Sequence, residues 1–388
     1  MNITKHVNNL LWPEWFWLPE GYNWTVFSST REQNYPDFHW IYFPIPLSLL
    51  VFGVRIVFEK YVCSPIGRSI GISDRRPRAP LDNPVLEAVF RKKKRIPPTE
   101  VIQDLSKRVD LTSRQVERWF RQRKAADSQS QLQKFNETGW RFFYYTSAML
   151  YGFWVLYDKP WFYETKQCWL GYPYHPIDND VFWYYMIPMS FYWSLLISQF
   201  FDVKRKDFWQ MFAHHVTTIL LLVLSWVDNL TRVGTLVLLI HDVADVFLEA
   251  AKLARYANRP RLCDALFGVF AIVWIVTRLV IYPYAVVYSA AFEGCQSVGF
   301  CFPAYWVFNS LLIMLQVLHF IWTWYILRIA INSLRTGKTD DARSDTDEDL
   351  ELDDAGDTTA SLTNNHTADK GGRPARNGVV KTKARREE

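Results

Sequence analysis

VGTLVLLIHDVADVFLEAAKL, residues 233–253, is the stretch whose reading decides the fold. Residues 233–240 carry no charge, and the 21 residues wound as one helix cover about 30 Å, the thickness of a bilayer core. Into that apolar run fall His241, Asp242, Asp245 and Glu249. An ionisable side chain at membrane depth is expensive unless it faces a protein interior or a water-filled cavity. The segment therefore predicts a membrane helix whose neighbours enclose a polar site. The spacing i, i+3, i+7 predicts Asp242, Asp245 and Glu249 on one helix face.

Working outward, six further segments are long and apolar enough to be spans: 39–58, 139–157, 181–200, 208–227, 262–289 and 304–331. Pro44, Pro46, Pro188 and Pro283 lie in or near them and are tolerated where neighbouring helices satisfy the freed backbone groups. A mean hydropathy of only −0.09 looks too polar for such a protein. The average conceals segregation, because a basic block (75–124) and a polar tail (from 338) offset the apolar spans. An aromatic content of 17% fits Trp and Tyr belts at the two membrane interfaces. The net charge of +5 carries no functional message, since acids and bases occupy different segments.

Lys and Arg orient the chain. Lys60, Arg68, Arg75 and Arg76 follow the first span, Lys204, Arg205 and Lys206 the third, Lys252, Arg255, Arg259 and Arg261 the fifth, and Arg328, Arg335 and Lys338 the seventh. The intervening connections hold few positive charges. This alternation predicts a lumenal N-terminus and a cytosolic tail. The glycosylation sequons at Asn2 and Asn23 then face the lumen, and those at Asn136 and Asn365 are silent. The N-terminus lacks a basic n-region and a cleavage site, so the first span is expected to remain as a signal-anchor. Cys295 and Cys301 share one short lumenal connection, where they either bridge or stay as two thiols.

The expected organisation is a lumenal segment (1–38), a first transmembrane helix (39–58), a soluble three-helix unit (67–128), a transmembrane domain (131–335) and a disordered cytosolic tail (336–388). In the soluble unit Leu86, Val89 and Phe90 have helical spacing. Thr99 reads as the N-cap of a helix with Val101, Ile102, Leu105 and Val109, and Thr112 or Ser113 caps one with Val116, Trp119 and Phe120. In the tail, Ser344 and Thr346 precede acids by three residues (Asp347, Asp349), a spacing that acidophilic kinases favour. The fold class is all-α, a membrane protein with about seven spans.

The span 208–227 contains His214 and His215. Helix rise places them at a depth similar to Asp245 on the antiparallel neighbour. A neutral imidazole can take a proton from an attacking amine or itself attack a thioester, and a carboxylate can fix its tautomer. Two other readings stay open: a polar cluster that only holds helices together, and a metal site, although no spacing specifies a metal. Arg278, in the sixth span, reads as a partner for a buried acid.

Several stretches carry a resemblance. These are 202–208 (DVKRKDF), 211–215 (MFAHH), 232–235 (RVGT), 241–245 (HDVAD) and 248–252 (LEAAK), with 191–194 (FYWS), 198–200 (SQF) and 15–19 (WFWLP). Together they resemble the signature of ceramide synthases within the TLC domain, over about 132–335. The resemblance implies an endoplasmic-reticulum acyltransferase that joins a fatty acyl group from acyl-CoA to the amine of a sphingoid base, with acyl-CoA as co-substrate and no cofactor. It implies His214, His215, Asp242 and Asp245 as catalytic residues, and a barrel formed by the last six helices. His241, Glu249 and Arg278 are then candidates for substrate binding. So are Lys204, Arg205 and Lys206 at the cytosolic mouth, where topology alone also accounts for positive charge. The family also implies that the connection 290–303 bears on acyl-chain length, and homo- or heterodimers among its members.

Residues 115–124 (QVERWFRQRK) resemble the recognition helix of a homeodomain, with Trp119 and Phe120 as core anchors. Gln122 stands where that family reads adenine with Asn, and Gln122 and Arg123 are the candidate DNA contacts. The basic runs 91–95 and 118–124 suit nuclear import or anionic lipid equally. A membrane-tethered homeodomain-type regulator without catalysis is the competing reading of the chain. A third is a non-catalytic TLC relative. Neither needs five ionisable groups on adjacent spans.

Overall fold

The computed structural model describes residues 12–30, 33–76, 78–93, 95–127, 129–200, 207–298 and 301–336, all of them helix, turn or irregular chain. Asn2, Lys204, Arg205, Lys206, Ser344 and Thr346 lie outside the described residues. Helix α1, Pro44–Phe58, runs on through Glu59–Cys63 and Ser64–Ser69. The soluble unit follows with α2 (Pro84–Lys93), α3 (Thr99–Val109) and α4 (Ser113–Ala126). The remaining helices are α5 (Gln131–Leu156), α6 (Asn179–Ser198), α7 (Phe208–Val227), α8 (Thr231–Tyr256), α9 (Pro260–Trp274) and α10 (Pro303–Thr336). Beyond Trp274, α9 continues as a π-helix, Ile275–Gly294, with Pro283 inside it.

The last six helices close a ring in the order α5, α8, α9, α10, α7, α6 and back to α5. Helix α8 also touches α6 and α7, which draws its polar residues toward the middle of the bundle. Close approach within the ring depends on two glycines. A Cβ on Gly152 would stand 2.7 Å from Tyr184 Cζ, and one on Gly234 would stand 2.7 Å from Tyr185 Cζ, so neither position has room for a side chain. Tyr185 then reaches α7 through a 2.6 Å hydrogen bond with Ser225.

Helix α1 packs outside the ring on α6. Its outer residues Leu49 and Leu50 are 67% and 62% exposed, an unpartnered apolar face that a lipid surface would cover. Among the described residues, four helices are long and apolar enough to cross a membrane: Phe38–Ser69, Phe208–Val227, Pro260–Ser297 and Pro303–Ser333. The three other expected spans form helices of 26, 20 and 26 residues (α5, α6, α8) but fall short in apolarity. The reason is what they line: α8 contributes His241, Asp245 and Glu249 to a cavity, and α5 contributes Glu137 and Arg141.

One end of the ring is sewn shut by residues 157–180. The Tyr172 hydroxyl donates to the Asp228 carbonyl at 3.0 Å, and Asn229 Nδ2 donates to the carbonyls of Pro173 and His175 at 3.0 and 2.8 Å. Arg232 Nη1 donates to the Gln167 carbonyl at 2.8 Å. Asn229 has φ 54°, in the left-handed region that Asn tolerates, which lets the α7–α8 turn present its amide to the loop. Nearby, a disulfide joins Cys295 to Cys301.

The soluble unit buries Leu86, Phe90, Ile102, Leu105, Val116, Trp119 and Phe120 around one small core. Thr112 caps α4 through a full capping box with Gln115, as the sequence suggests. Thr99 does not cap α3: it is the first helical residue, after Pro98 in the cap position. Val101 is exposed, because the core face of α3 is carried by Ile102 and Leu105, one turn apart, with Val109 packed beside them.

Candidate active site

The ring encloses a cavity of about 240 Å³ that opens toward the end opposite the sewn loop. Helix α7 supplies His214 and His215, α8 supplies His241, Asp245 and Glu249, the π-helical stretch supplies Arg278, and α10 supplies His319. The sequence places all but His319 here. The His214 and His215 rings lie 5.6 Å apart by their centroids, and His214 lies 6.4 Å from His241. Tyr192 of α6 faces both, at 6.4 and 6.3 Å. The Nδ1 atoms of His214 and His215 are buried without a hydrogen-bond partner, so neither ring is clamped through that nitrogen by a carboxylate.

Asp242 departs from the expected shared face. It is 2% exposed and does not line the cavity, whereas Asp245 and Glu249 do. It lies close enough to Tyr144, Tyr184 and Tyr192 to interact electrostatically with all three, and its Oδ2 has no hydrogen-bond partner. The physical reason is helical: three residues advance by 300°, so Asp242 and Asp245 stand about 60° apart, enough to put one behind the wall. Glu249 pairs with Lys252 at 2.7 Å, at the cavity mouth.

Arg278 has the expected buried acids, Asp245 and Asp242, close enough to interact with its charge, but its hydrogen bonds go elsewhere. Its Nη1 and Nη2 donate to the backbone carbonyls of Ile240 and His241, the latter at 2.8 Å, and its guanidinium lies 4.9 Å over the Trp274 ring. Carbonyls in mid-helix are normally spoken for, so this fork fixes α8 at the height of His241.

His319 is the functional candidate that the sequence reading passed over. It is an ionisable residue inside the last apolar segment, and that rule alone could have flagged it. Its Nε2 lies 3.1 Å from His241 Nε2, while His241 Nδ1 lies 2.6 Å from the Val237 carbonyl. A carbonyl only accepts, so His241 Nδ1 carries the hydrogen. In the neutral ring His241 Nε2 is then the acceptor, and His319 Nε2 donates. That leaves a lone pair on His319 Nδ1, which is buried without a partner. Among the described residues no group of His, Cys, Asp and Glu is arranged to hold a metal ion.

A second, apolar cavity of about 50 Å³ continues from the first and shares Tyr192 and His241 with it. Its walls are almost wholly apolar, among them Leu221, Leu222, Val233, Val237, Leu312 and Leu315. A polar chamber thus leads into a narrow greasy one, the shape required by a molecule with a reactive head and a hydrocarbon tail.

Residues 134–328 match the family model of the TLC domain, and residues 75–128 that of the homeodomain. The chain is 42% identical to ceramide synthase 5 of Homo sapiens over 346 residues, which cover 89% of this chain and 88% of that protein. It is 40% identical to ceramide synthase 3 of Homo sapiens over 338 residues, 87% of this chain and 88% of that one. Ceramide synthase hyl-1 of Caenorhabditis elegans is 46% identical over 232 residues, 56% of this chain and 62% of that protein.

Proposed function

The chain belongs to the ceramide synthase family of multi-pass membrane acyltransferases, and from that premise we propose how its own residues carry out the transfer. The thioester carbonyl of acyl-CoA sits in the polar chamber with its hydrocarbon tail in the apolar one. The amine of a sphingoid base attacks that carbonyl. An imidazole of the His214–His215 pair takes the proton that the amine loses, and the thiolate of CoA leaves and regains a proton. The new C–N bond replaces the C–S bond, so the step needs no other reactant. Asp245 stabilises the imidazolium from the facing helix, and Asp242 acts through the tyrosines behind the wall. Arg278 and His319 are positioning residues that hold His241. The carrying observation is the junction of the two cavities at Tyr192 and His241, within reach of both catalytic imidazoles.

The same reading assigns Lys204, Arg205 and Lys206 to the CoA phosphates at the mouth, and the protein to the endoplasmic-reticulum membrane with the sewn end lumenal. Support comes from the Lys and Arg alternation and from Asn23, whose segment lies at the sewn end through the 2.9 Å bond from Trp226 Nε1 to the Asp37 carbonyl. Microsomes containing the full chain, fed acyl-CoA and sphinganine, test the reaction by mass spectrometry of the lipid product. His214→Ala and His215→Ala should each abolish product at unchanged protein abundance. Near-normal turnover in both variants overturns the assignment.

A further inference from the structure

The apolar chamber has a measurable depth. Its far end is reached at Ser225 on α7, Leu230 at the head of α8 and Phe308 on α10. Counted from His214, His241 and His319, each of these lies eleven residues along its own wall. The far end therefore lies at a depth of about 16 Å from the level of the three histidines at the helical rise, and the apolar chamber itself takes the last seven of those residues on α7 and α10, from Thr218 to Ser225 and from Leu315 to Phe308. An extended chain of ~1.5 Å C–C bonds advances about 1.25 Å per carbon, so that depth holds ~13 carbons beyond the reacting carbonyl.

At that depth stands Trp169. It lines the apolar chamber and also a third cavity of about 30 Å³ beyond it, lined by Tyr172, Phe302, Tyr305 and Asn309. Leu230, Ala290 and Phe308 also border both chambers, but they stand on or beside the wall helices. Trp169 comes from the loop that crosses the end of the ring. Its indole is held by one hydrogen bond and one close packing contact. Nε1 donates to Ser289 Oγ at 2.8 Å, and Ser289 donates to Glu293 Oε2 at 2.6 Å, an oxygen that also accepts from Thr165 at 2.8 Å. Gly294 lies under the ring plane, where a Cβ would come within 3.1 Å of it.

Resting on the acyl-transfer reading above, we infer that Trp169 is the floor of the acyl chamber and limits the transferred chain to about 14 carbons. Removal of the indole joins the chamber to the cavity beneath. From Phe308 to Tyr305 that adds three residues of helix, ~4.5 Å, or three to four carbons.

The test uses full-length protein in microsomes, with sphinganine and an equimolar series of saturated acyl-CoAs from shorter than myristoyl to longer than stearoyl. The wild type should favour chains of about 14 carbons, and Trp169→Leu should move the maximum upward by about two two-carbon steps. Val233→Phe, which thrusts a ring into the same chamber from α8, should move it downward. Wild-type ceramide formation that ignores chain length, or an unmoved maximum in Trp169→Leu, overturns the inference. If Trp169→Leu does not accumulate, an unmoved maximum in Val233→Phe overturns it equally. No ceramide from the wild type with any acyl-CoA is a different result: it refutes the reaction, not the floor.

Discussion

His319→Phe is the substitution that most directly probes the His241 site. An aromatic ring is kept, so the edge-to-face contacts with Tyr282 (4.9 Å) and Trp274 (6.0 Å) persist. What disappears is the N–H that reaches His241 Nε2 at 3.1 Å. His241 is 6% exposed, so its acceptor nitrogen is then buried with no donor. A buried acceptor stranded in this way costs about 1–3 kcal/mol. If the cost falls on the transition state, turnover drops by about fivefold to 150-fold, at one decade per ~1.4 kcal/mol. His319→Gln restores a donor near the same place and should recover much of the loss. The assay is initial rate against acyl-CoA concentration in microsomes, with abundance measured in parallel. Turnover within about twofold of wild type for the Phe variant, or a Gln variant no better than Phe, would refute the argument that His319 acts by donating to His241.

Other outcomes follow from the same geometry. Asp242→Asn and Asp245→Asn should each lower turnover more than about tenfold, with KM for acyl-CoA little changed; losses smaller than that at both sites point to packing alone. His175, in the sewn loop, is pushed down to about 4 by burial and then by the Arg232 charge. The folded loop therefore holds a neutral ring, its stability is complete above the ordinary histidine value, and it is lost as pH falls through the window down to about 4. Limited proteolysis within residues 157–180 should become faster from pH 7 to pH 5 in the wild type and stay flat in His175→Gln. In the soluble unit the Arg123 hydrogen bonds, then those of Arg91, hold the Glu87 carboxyl below its usual range. Arg123→Ala should remove that support, so that the unit loses its extra stability above the ordinary carboxylate range, read as faster hydrogen exchange in α2 and α4 at neutral pH.

What the sequence disclosed and what it withheld divide along a physical line. Depth along a helix follows from counting residues, so His214, His215 and Asp245 were legible as members of one level. Azimuth is harder: a 60° offset is invisible to a reading by thirds and sevenths, and Asp242 went behind the wall for that reason. Apolarity identified α1, α7, α9 and α10 cleanly, because their outer faces need only lipid. It understated α5 and α8, which put Glu137, Arg141, Asp245 and Glu249 into the cavity, and α6, which is rich in Tyr and Trp. Arg278 illustrates a further limit. Its charge announced the buried acids Asp245 and Asp242, but its hydrogen-bond partners are backbone carbonyls, which leave no trace in the sequence. Trp169 was hidden more thoroughly, since an aromatic in a loop of an aromatic-rich chain has no periodicity to mark it.

The soluble unit is a homeodomain by its core, and its reading face tells a different story. Trp119 and Phe120 pack inward as anchors, and Trp119 Nε1 donates to the Leu81 carbonyl at 2.7 Å. On the outer side of α4, Gln115 and Arg118 are exposed, but the face narrows toward the C-terminal end. Arg121 is paired with Glu117 and has a buried Nε without a partner, and Ala125 is 8% exposed. Arg123 spends its fork on Glu87 and Asp127 and lies 5.0 Å over the Phe90 ring. A guanidinium held by two carboxylates and an aromatic face is a structural cross-link between α2 and α4, not a free reader of a base edge. The half-buried Gln122 stands between these two arginines. Two of the basic residues of α4, Arg121 and Arg123, are thus answered by acids of the same chain, while Arg114 and Arg118 are exposed on its outer side.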